Sequence, residues 1–250
     1  MTAAESYGAF AYAYDQALGE RYFRAVRRLL VEVLERYPTA PMPTHLDVAC
    51  GTGLAVPFFV NRGFVSTGVD ISTVMLSVAR KRARRLVAGD ARALPLRATF
   101  SRITCLYDSL NHLLDRRDLV AAFAEIARLM DEDSQFIFDM NHPAIYPEVW
   151  GMKEPFIDEG RDFHLEIATT YRAREHLGRA LVTGWAMVDG RRVAIRERHT
   201  QRSYERDDIV AALAEAGLGP IEVREFDPWG EGMTVKLFFV CRATSRAPRS

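Results

Sequence analysis

His45-Leu46-Asp47-Val48-Ala49-Cys50-Gly51-Thr52-Gly53 is a short apolar segment that ends in a glycine-rich turn, and Phe64-Val65-Ser66-Thr67-Gly68-Val69-Asp70 is a second apolar segment that ends in a carboxylate. In an α/β sheet such a turn lets the backbone approach a ligand closely. A carboxylate at the end of the next strand can accept hydrogen bonds from both hydroxyls of a ribose. The pair therefore predicts a nucleoside site at the ends of two parallel strands.

The spacing of the glycines narrows the kind of nucleoside. A dinucleotide site is expected to carry a third glycine at position 56, which is Val56 here. A pyrophosphate would find less room there, whereas an adenosine with a short sulfonium-bearing amino acid tail does not need that room. A second carboxylate, Asp90, follows the short strand Leu86–Ala88 and is placed to accept a hydrogen bond from an adenine amino group.

The wider pattern predicts an α/β fold with additions. A helical segment over residues 6–37 is followed by alternating strands and helices over residues 44–142, and repeated βα units predict a parallel sheet with helices on both faces. Residues 162–204 predict three or four antiparallel strands, with a hairpin turn at Asp189-Gly190. A helix over residues 207–217 and two strands close the chain.

Composition excludes several function classes. The 250 residues carry a formal net charge of zero, which argues against a nucleic-acid partner. Since no apolar run approaches the roughly 20 residues of a membrane helix and the first residues do not form a secretory signal, we expect no membrane partner. The spacing of the three cysteines, Cys50, Cys105 and Cys241, suggests neither a metal site nor a disulfide framework, so we expect reduced thiols in a cytoplasmic protein.

The segment Leu46–Gly53 resembles motif I of the class I S-adenosylmethionine-dependent methyltransferases. Asp70 matches the acidic residue that closes their second strand, and Gly89-Asp90-Ala91 resembles their adenine-binding segment. Residues 106–113 and 10–15 resemble a branch that acts on small molecules, including natural-product N-methyltransferases and a toxoflavin-pathway methyltransferase. The resemblance implies one Rossmann-like domain over residues 1–250 with a mostly parallel seven-stranded sheet. The expected parts are a helical cover (1–40), a core (44–142 and 205–243) and an antiparallel sheet inserted over the active edge (143–204).

The resemblance also implies roles for individual residues. In the cofactor site, Asp47 orients the amino group, Asp70 holds the ribose and Tyr14 approaches the carboxylate tail. The full set implied to bind S-adenosylmethionine is Tyr14, Asp47, Ala49, Cys50, Gly51, Gly53, Asp70, Ile71, Met75, Asp90, Ala91, Leu106 and Tyr107.

The acceptor is predicted to be a small, planar heteroaromatic molecule that is methylated on nitrogen in a closed aromatic pocket. Residues 108–111 are Asp-Ser-Leu-Asn, which lacks the proline pattern of enzymes that methylate nucleic-acid bases. The predicted acceptor residues are Tyr7, Tyr12, Asp108, Asn111, His112, Trp150 and Trp185, of which Tyr7, Asp108 and His112 are candidates for proton transfer.

Several alternatives remain open at this stage. An O-methyltransferase, or an N-methyltransferase for an amino sugar or an amino acid, fits the same residues. Alternatives of another class are an NAD-dependent oxidoreductase and a cofactor-binding module without turnover. Methyl transfer needs mainly alignment, so the lack of an evident catalytic triad does not decide between an enzyme and a module. A monomer and a homodimer are equally compatible with the sequence.

Overall fold

The computed structural model describes residues 8–230 and 235–244. Eleven strands are described: β1 (Thr44–Val48), β2 (Val65–Asp70), β3 (Leu86–Ala88), β4 (Arg102–Cys105), β5 (Gln135–Asn141), β6 (Phe156–Glu159), β7 (Phe163–Arg172), β8 (Leu177–Val188), β9 (Arg191–Arg202), β10 (Leu218–Phe226) and β11 (Lys236–Ala243). Seven of them form one sheet in the order β3-β2-β1-β4-β5-β11-β10. The first five of these run parallel, and β11 is antiparallel to both of its neighbours. The prediction of a mostly parallel seven-stranded sheet is confirmed.

The helices cover both faces of this sheet. They are α1 (Phe10–Tyr14), α2 (Glu20–Arg36), α3 (Val56–Val60), α4 (Thr73–Ala79), α5 (Arg116–Arg128) and α6 (Arg206–Glu215). The apolar stripe of α2 packs with Phe238 and Val240 on one face, whereas α5 and α6 pack with Phe239 and Cys241 on the other. Because neighbouring residues of a strand point to opposite faces, one apolar strand supplies both layers of the core.

Two helices differ from the sequence-based expectation. The predicted N-terminal helix is interrupted between α1 and α2 by a π-helical turn over Asp15–Gly19. The sequence also predicts a helix that is capped by Ser72 and continues to about Arg85, but this helix ends at Ala79. Its predicted cap is confirmed, since the Ser72 hydroxyl accepts a hydrogen bond from the Met75 amide. The basic run after Ala79 leaves the helix, and Arg82 ion-pairs with Asp15 in the π-helical turn.

The inserted segment forms a separate antiparallel sheet in the order β6-β7-β8-β9. It begins at Phe156, inside the insertion expected over residues 143–204 but before the first strand expected at residue 162. The turn at Asp189-Gly190 has positive φ at both residues (49° and 77°), as a two-residue hairpin of the predicted kind requires. The inner face of this sheet packs on Phe10 and Ala13 of α1, so the inserted sheet and the N-terminal cover are packed against each other.

Among residues 8–230 and 235–244, no helix is both long and apolar enough to cross a lipid bilayer.

Candidate functional site

The turn after β1 is held in shape by Asp70, which lies at the end of β2. Its Oδ2 accepts a hydrogen bond from the Gly51 amide (2.7 Å) and its Oδ1 accepts one from the Ser72 amide (2.8 Å). Gly51 has a φ of +54°, in the left-handed region that glycine adopts at little cost. Each carboxylate oxygen can accept a second hydrogen bond, so Asp70 keeps acceptor capacity for hydroxyl groups in the cavity. Burial raises the pKa of this carboxyl.

Asp47 lies on β1 at the end of a buried chain of polar side chains. Its Oδ1 accepts a hydrogen bond from the Thr104 hydroxyl (2.5 Å), which in turn contacts Nε2 of His45 (2.9 Å), and Nδ1 of His45 contacts the Ser66 hydroxyl (2.7 Å). His45 and Asp47 share a face because side chains alternate along a strand. Burial raises the pKa of Asp47 to about 7, against a weaker lowering by the Thr104 hydrogen bond. A buried carboxyl in this state is suited to receive a cationic group.

These groups line a cavity of about 140 Å³ at the carboxyl ends of β1 and β2. Most of the residues predicted for the cofactor lie along it: Tyr14, Asp47, Ala49, Cys50, Gly51, Asp70, Ile71, Met75, Leu106 and Tyr107. Thus the strand ends and the cover residue Tyr14 are brought together as the sequence predicts.

Three predicted cofactor residues do not line this cavity. Gly53 instead allows close packing, because a Cβ at this position would lie 3.3 Å from the Cβ of Ala79 in α4. Asp90 forms an ion pair with Arg92 (2.6 Å), and this hydrogen-bonded guanidinium holds the pKa of its carboxyl below the usual value. Ala91 lies next to this pair and is also outside the lining.

A second cavity of about 390 Å³ adjoins the first, and Tyr14, Tyr107 and His112 line both. This volume is in the range of about 300–1,000 Å³ that is typical of small-molecule sites. Its walls come from the N-terminal cover, the segment after β4, the inserted sheet and β11. A molecule bound in the second cavity would therefore contact a molecule bound in the first cavity beside these three shared residues.

The segment after β4 is strained at this junction. Tyr107 and Asp108 both have positive φ (64° and 48°), which is uncommon for residues other than glycine. The buried carboxylate of Asp139 on β5 accepts hydrogen bonds from both of their amides, at 2.7 and 2.9 Å. Such strain persists where surrounding contacts fix it and is frequent at functional sites. The Tyr107 hydroxyl also donates to the carbonyl of Gly19, which joins this segment to the cover.

One wall of the second cavity is formed by a cluster of charged and hydrogen-bonded side chains. The Asp108 carboxylate contacts the buried ammonium of Lys236 through Oδ1 and the side-chain amide of Gln201 through Oδ2. Gln201 also contacts Nε2 of His112 at 3.3 Å. Burial lowers the pKa of His112 to about 4, so its ring is neutral near pH 7.

The structure separates the predicted acceptor residues into two groups. Asp108, His112 and Trp150 line the second cavity, and so do the aromatic rings of Phe10, Phe156 and Trp229. Tyr7 lies outside the described residues.

The other predicted acceptor residues are placed elsewhere. Tyr12 is 37% exposed on α1 and does not line the cavity. Asn111 is buried, and its side chain links the Arg202 carbonyl to the Asn141 amide. Ala180 and Val182 of β8 line the cavity, and side chains alternate along a strand, so Trp185 points to the outer face of the sheet. There the guanidinium of Arg192 lies over its ring at 4.1 Å.

Sequence reasoning missed Gln201, Lys236 and Asp139. Lys236 gave a usable signal, because a single lysine at the start of an apolar strand is rarely buried without a partner. Gln201 gave none, since nothing in the sequence pairs β9 with the segment after β4.

A second missed contact ties the cover to the glycine-rich turn. The Asp15 carboxylate accepts a hydrogen bond from the Thr52 hydroxyl (2.5 Å) and forms an ion pair with Arg82 (2.7 Å). Asp15 is 9% exposed.

Comparison with known proteins agrees with this geometry. Residues 46–133 match the family described as "Methyltransferase domain". A protein of Geobacillus sp. named as a methyltransferase is 28% identical over 87% of this chain and 91% of its own length. The dTDP-3-amino-3,4,6-trideoxy-alpha-D-glucopyranose N,N-dimethyltransferase of Streptomyces venezuelae is 27% identical over 81% of this chain and 86% of its own length. The crystal structure of an S-adenosylmethionine-dependent methyltransferase from Clostridium acetobutylicum superposes with a TM-score of 0.81 and 22% identity, covering 94% of this chain and 98% of that one.

The cradle fits an adenosine that carries a cationic tail. The two carboxylate oxygens of Asp70 can accept hydrogen bonds from ribose hydroxyls, and the turn at Gly51 lets a ligand approach the backbone closely. The buried carboxyl of Asp47 lies near this turn. The matched family and the two relatives are described as methyltransferases and not as oxidoreductases. Residues 46–133 therefore form a methyltransferase domain, and the whole chain has the fold of the S-adenosylmethionine-dependent methyltransferase from Clostridium acetobutylicum.

Proposed function

We propose that this enzyme methylates a nitrogen of a small polar amine, of which an amino sugar is the first candidate. The carboxylate of Asp108 carries the proposal, because it lies in the second cavity beside the residues shared with the first. Its two oxygens already accept hydrogen bonds from Lys236 and Gln201, and each has capacity for one more. The name of the Streptomyces venezuelae relative, which describes an aminosugar N,N-dimethyltransferase, supports this acceptor class.

In this proposal the first cavity holds the cofactor through the residues predicted for it. Asp70 accepts the ribose hydroxyls, Asp47 faces the cationic amino group, and Tyr14 closes the cavity from the cover. S-adenosylmethionine supplies, when bound, a methyl group activated by its sulfonium.

The residues of the chain then act on the acceptor by alignment. Asp108 accepts a hydrogen bond from an N–H of the neutral amine and leaves the nitrogen lone pair directed to the junction of the cavities. The nitrogen forms its bond to the methyl carbon as the carbon–sulfur bond breaks, and the product ammonium releases its proton to water. Because one in-line step is sufficient, orientation and exclusion of water supply the catalysis. No proton acceptor is assigned to His112, whose Nε2 is already engaged by Gln201.

A planar heteroaromatic acceptor is the second candidate. The indoles of Trp150 and Trp229 line the second cavity, and aromatic faces of this kind stack on flat rings. The same two indoles could also contact the apolar face of a sugar ring, so they do not distinguish the two acceptors. The charged side chains of Asp108 and Lys236 in the same cavity favour the polar amine.

A methyl-transfer assay with labelled S-adenosylmethionine tests the proposal on a panel of amino sugars, ring-nitrogen heteroaromatics, amino acids and phenols. We expect transfer to an amine, and we expect Asp108→Asn to lower kcat/KM by roughly 10- to 100-fold without a change in cofactor affinity. Asp118→Asn, on the exposed side of α5, is the matched control and should behave as the wild type. Transfer to phenols alone, or full activity of Asp108→Asn, would contradict the proposed role.

A further inference from the structure

Gln201 on β9 uses all of its hydrogen-bonding groups in one buried network. Its Oε1 contacts the Asn141 amide nitrogen (2.8 Å) and the Tyr146 hydroxyl (3.2 Å). Its Nε2 contacts Oδ2 of Asp108 (2.5 Å) and Nε2 of His112 (3.3 Å). The residue is 4% exposed, so these four contacts replace the water that an exposed amide would bind.

The network determines which way the amide of Gln201 faces. A carboxylate only accepts hydrogen bonds, so the group opposite Asp108 must be the NH₂ of Gln201. The oxygen then accepts from the Asn141 NH₂ and faces the Tyr146 hydroxyl, whose single proton can be donated to Gln201 or to the Arg202 carbonyl. The reverse orientation would place oxygen against oxygen at Asp108.

The same orientation fixes the proton of His112. Since Gln201 donates to Nε2 of His112, this nitrogen must carry its lone pair, and the ring proton must be on Nδ1. The ring has a further hydrogen bond with the backbone of Thr200, the residue before Gln201. Thr200 and Gln201, which are consecutive on β9, thus hold the His112 ring and the Asp108 carboxylate.

We infer that Gln201 is a positioning residue for methyl transfer, which aims the Asp108 carboxylate at the acceptor and holds His112 as the Nδ1–H tautomer at the junction of the two cavities. This inference rests on the proposed role of Asp108. It assigns to the inserted sheet a direct part in arranging the reacting groups, beyond that of covering them.

A purely structural role makes a different prediction. If Gln201 only linked β9 to Asn141 and Tyr146, its oxygen would be sufficient. Gln201→Glu keeps an oxygen for these two donors but places a second carboxyl oxygen against Asp108. Gln201→Met keeps the length of the side chain and removes both functions. The two variants together separate linking from positioning.

Nitrogen NMR of histidine-labelled protein tests the tautomer without any acceptor. In the wild type we expect the His112 signals of a neutral ring with the proton on Nδ1, and in Gln201→Met we expect a mixture of tautomers. A wild-type ring protonated on Nε2 would overturn the inference, and so would an unchanged tautomer in Gln201→Met. A wild-type enzyme that methylates no amine would refute the proposed function but leaves this measurement intact.

Steady-state kinetics with the best acceptor from the panel completes the test. We expect both Gln201 variants to lose roughly 10- to 100-fold in kcat, because displacement of a positioned group by about 1 Å can cost 10²-fold. Cofactor affinity should remain within about twofold of the wild type, which also shows that the variants are folded. Arg198→Gln, exposed on the outer face of the same strand, is the matched control. Wild-type kcat in Gln201→Glu would overturn the inference in favour of the linking role.

Discussion

The affinity for S-adenosylmethionine should fall as the pH is lowered below 7, because of Asp47. Burial raises the pKa of this carboxyl to about 7 in the free protein. Because the pKa of this acid is higher in the folded protein than in the unfolded chain, its contribution to the free energy of unfolding is fully present below pH about 4. The free energy of unfolding then falls by about 4 kcal/mol as the pH rises from about 4 to 7. The cationic amino group of the cofactor would stabilise the ionised form and recover part of this cost.

The magnitude follows from the fraction of Asp47 that is ionised. If the cofactor binds only the ionised carboxylate, its Kd should rise roughly tenfold between pH 7.5 and pH 6, with a limiting slope of one unit per pH unit below that range. Calorimetric titration in two buffers of different ionisation enthalpy should show uptake of a proton by the buffer near pH 6. The measurement stays below pH 8, where the amino group of the cofactor itself begins to titrate.

A ligand that lacks the amino acid part supplies the control. Methylthioadenosine should bind with an affinity that is nearly independent of pH, and Asp47→Asn should remove the pH dependence for S-adenosylmethionine. An equal slope for both ligands would refute the reasoning, since it would assign the titration to a group that faces the nucleoside. A flat profile for the cofactor would also refute it.

Three further outcomes are expected. Asp70→Ala should weaken cofactor binding by about 1–3 kcal/mol in the same titration, through lost hydrogen bonds to ribose and an unpaired Gly51 amide; an unchanged Kd would remove the ribose role. Trp150→Ala should raise the KM of the acceptor several-fold, whereas Trp185→Ala on the outer face should not, and equal effects would show that the second cavity is not the acceptor site. Asp15→Asn should make the cover open more often and speed amide hydrogen exchange in α1, because it weakens the contact to Thr52; unchanged exchange would contradict this coupling.

The sequence predicted those parts of the molecule that depend on local patterns. The short strand predicted over Leu86–Ala88 is β3 with its observed bounds, and Asp189-Gly190 specified the hairpin because only a few residue pairs adopt its dihedral angles. The sequence also predicted that the turn after β1 would lie at a cavity, because the residues at the ends of the strands form short, recognisable motifs. Asp70, whose side chain closes that turn, is an example.

The prediction failed where a role depends on a distant partner. Trp185 was expected in the pocket because of its residue type, but the register of β8 turns it to the outer face. Asp90 stays a predicted contact of adenine; in the structure its carboxylate pairs with Arg92, two residues away, and it does not line the first cavity. Gln201 and Lys236 contact Asp108 only after the inserted sheet and β11 have been placed, so the sequence around Lys236 indicates a buried partner but does not identify Asp108 as that partner.

The inserted sheet has a consequence for how this protein could diversify. Strands β6 to β9 form one continuous stretch of chain and contribute the ring of Phe156, several apolar side chains and the amide of Gln201 to the second cavity. The first cavity is lined from the central sheet and from Tyr14 of the N-terminal helix. Substitutions in that stretch would change the surroundings of the proposed amine and leave the residues of the first cavity unchanged. Chimeras that exchange residues 156–202 between relatives would therefore transfer acceptor preference as a unit, provided that Gln201 is retained.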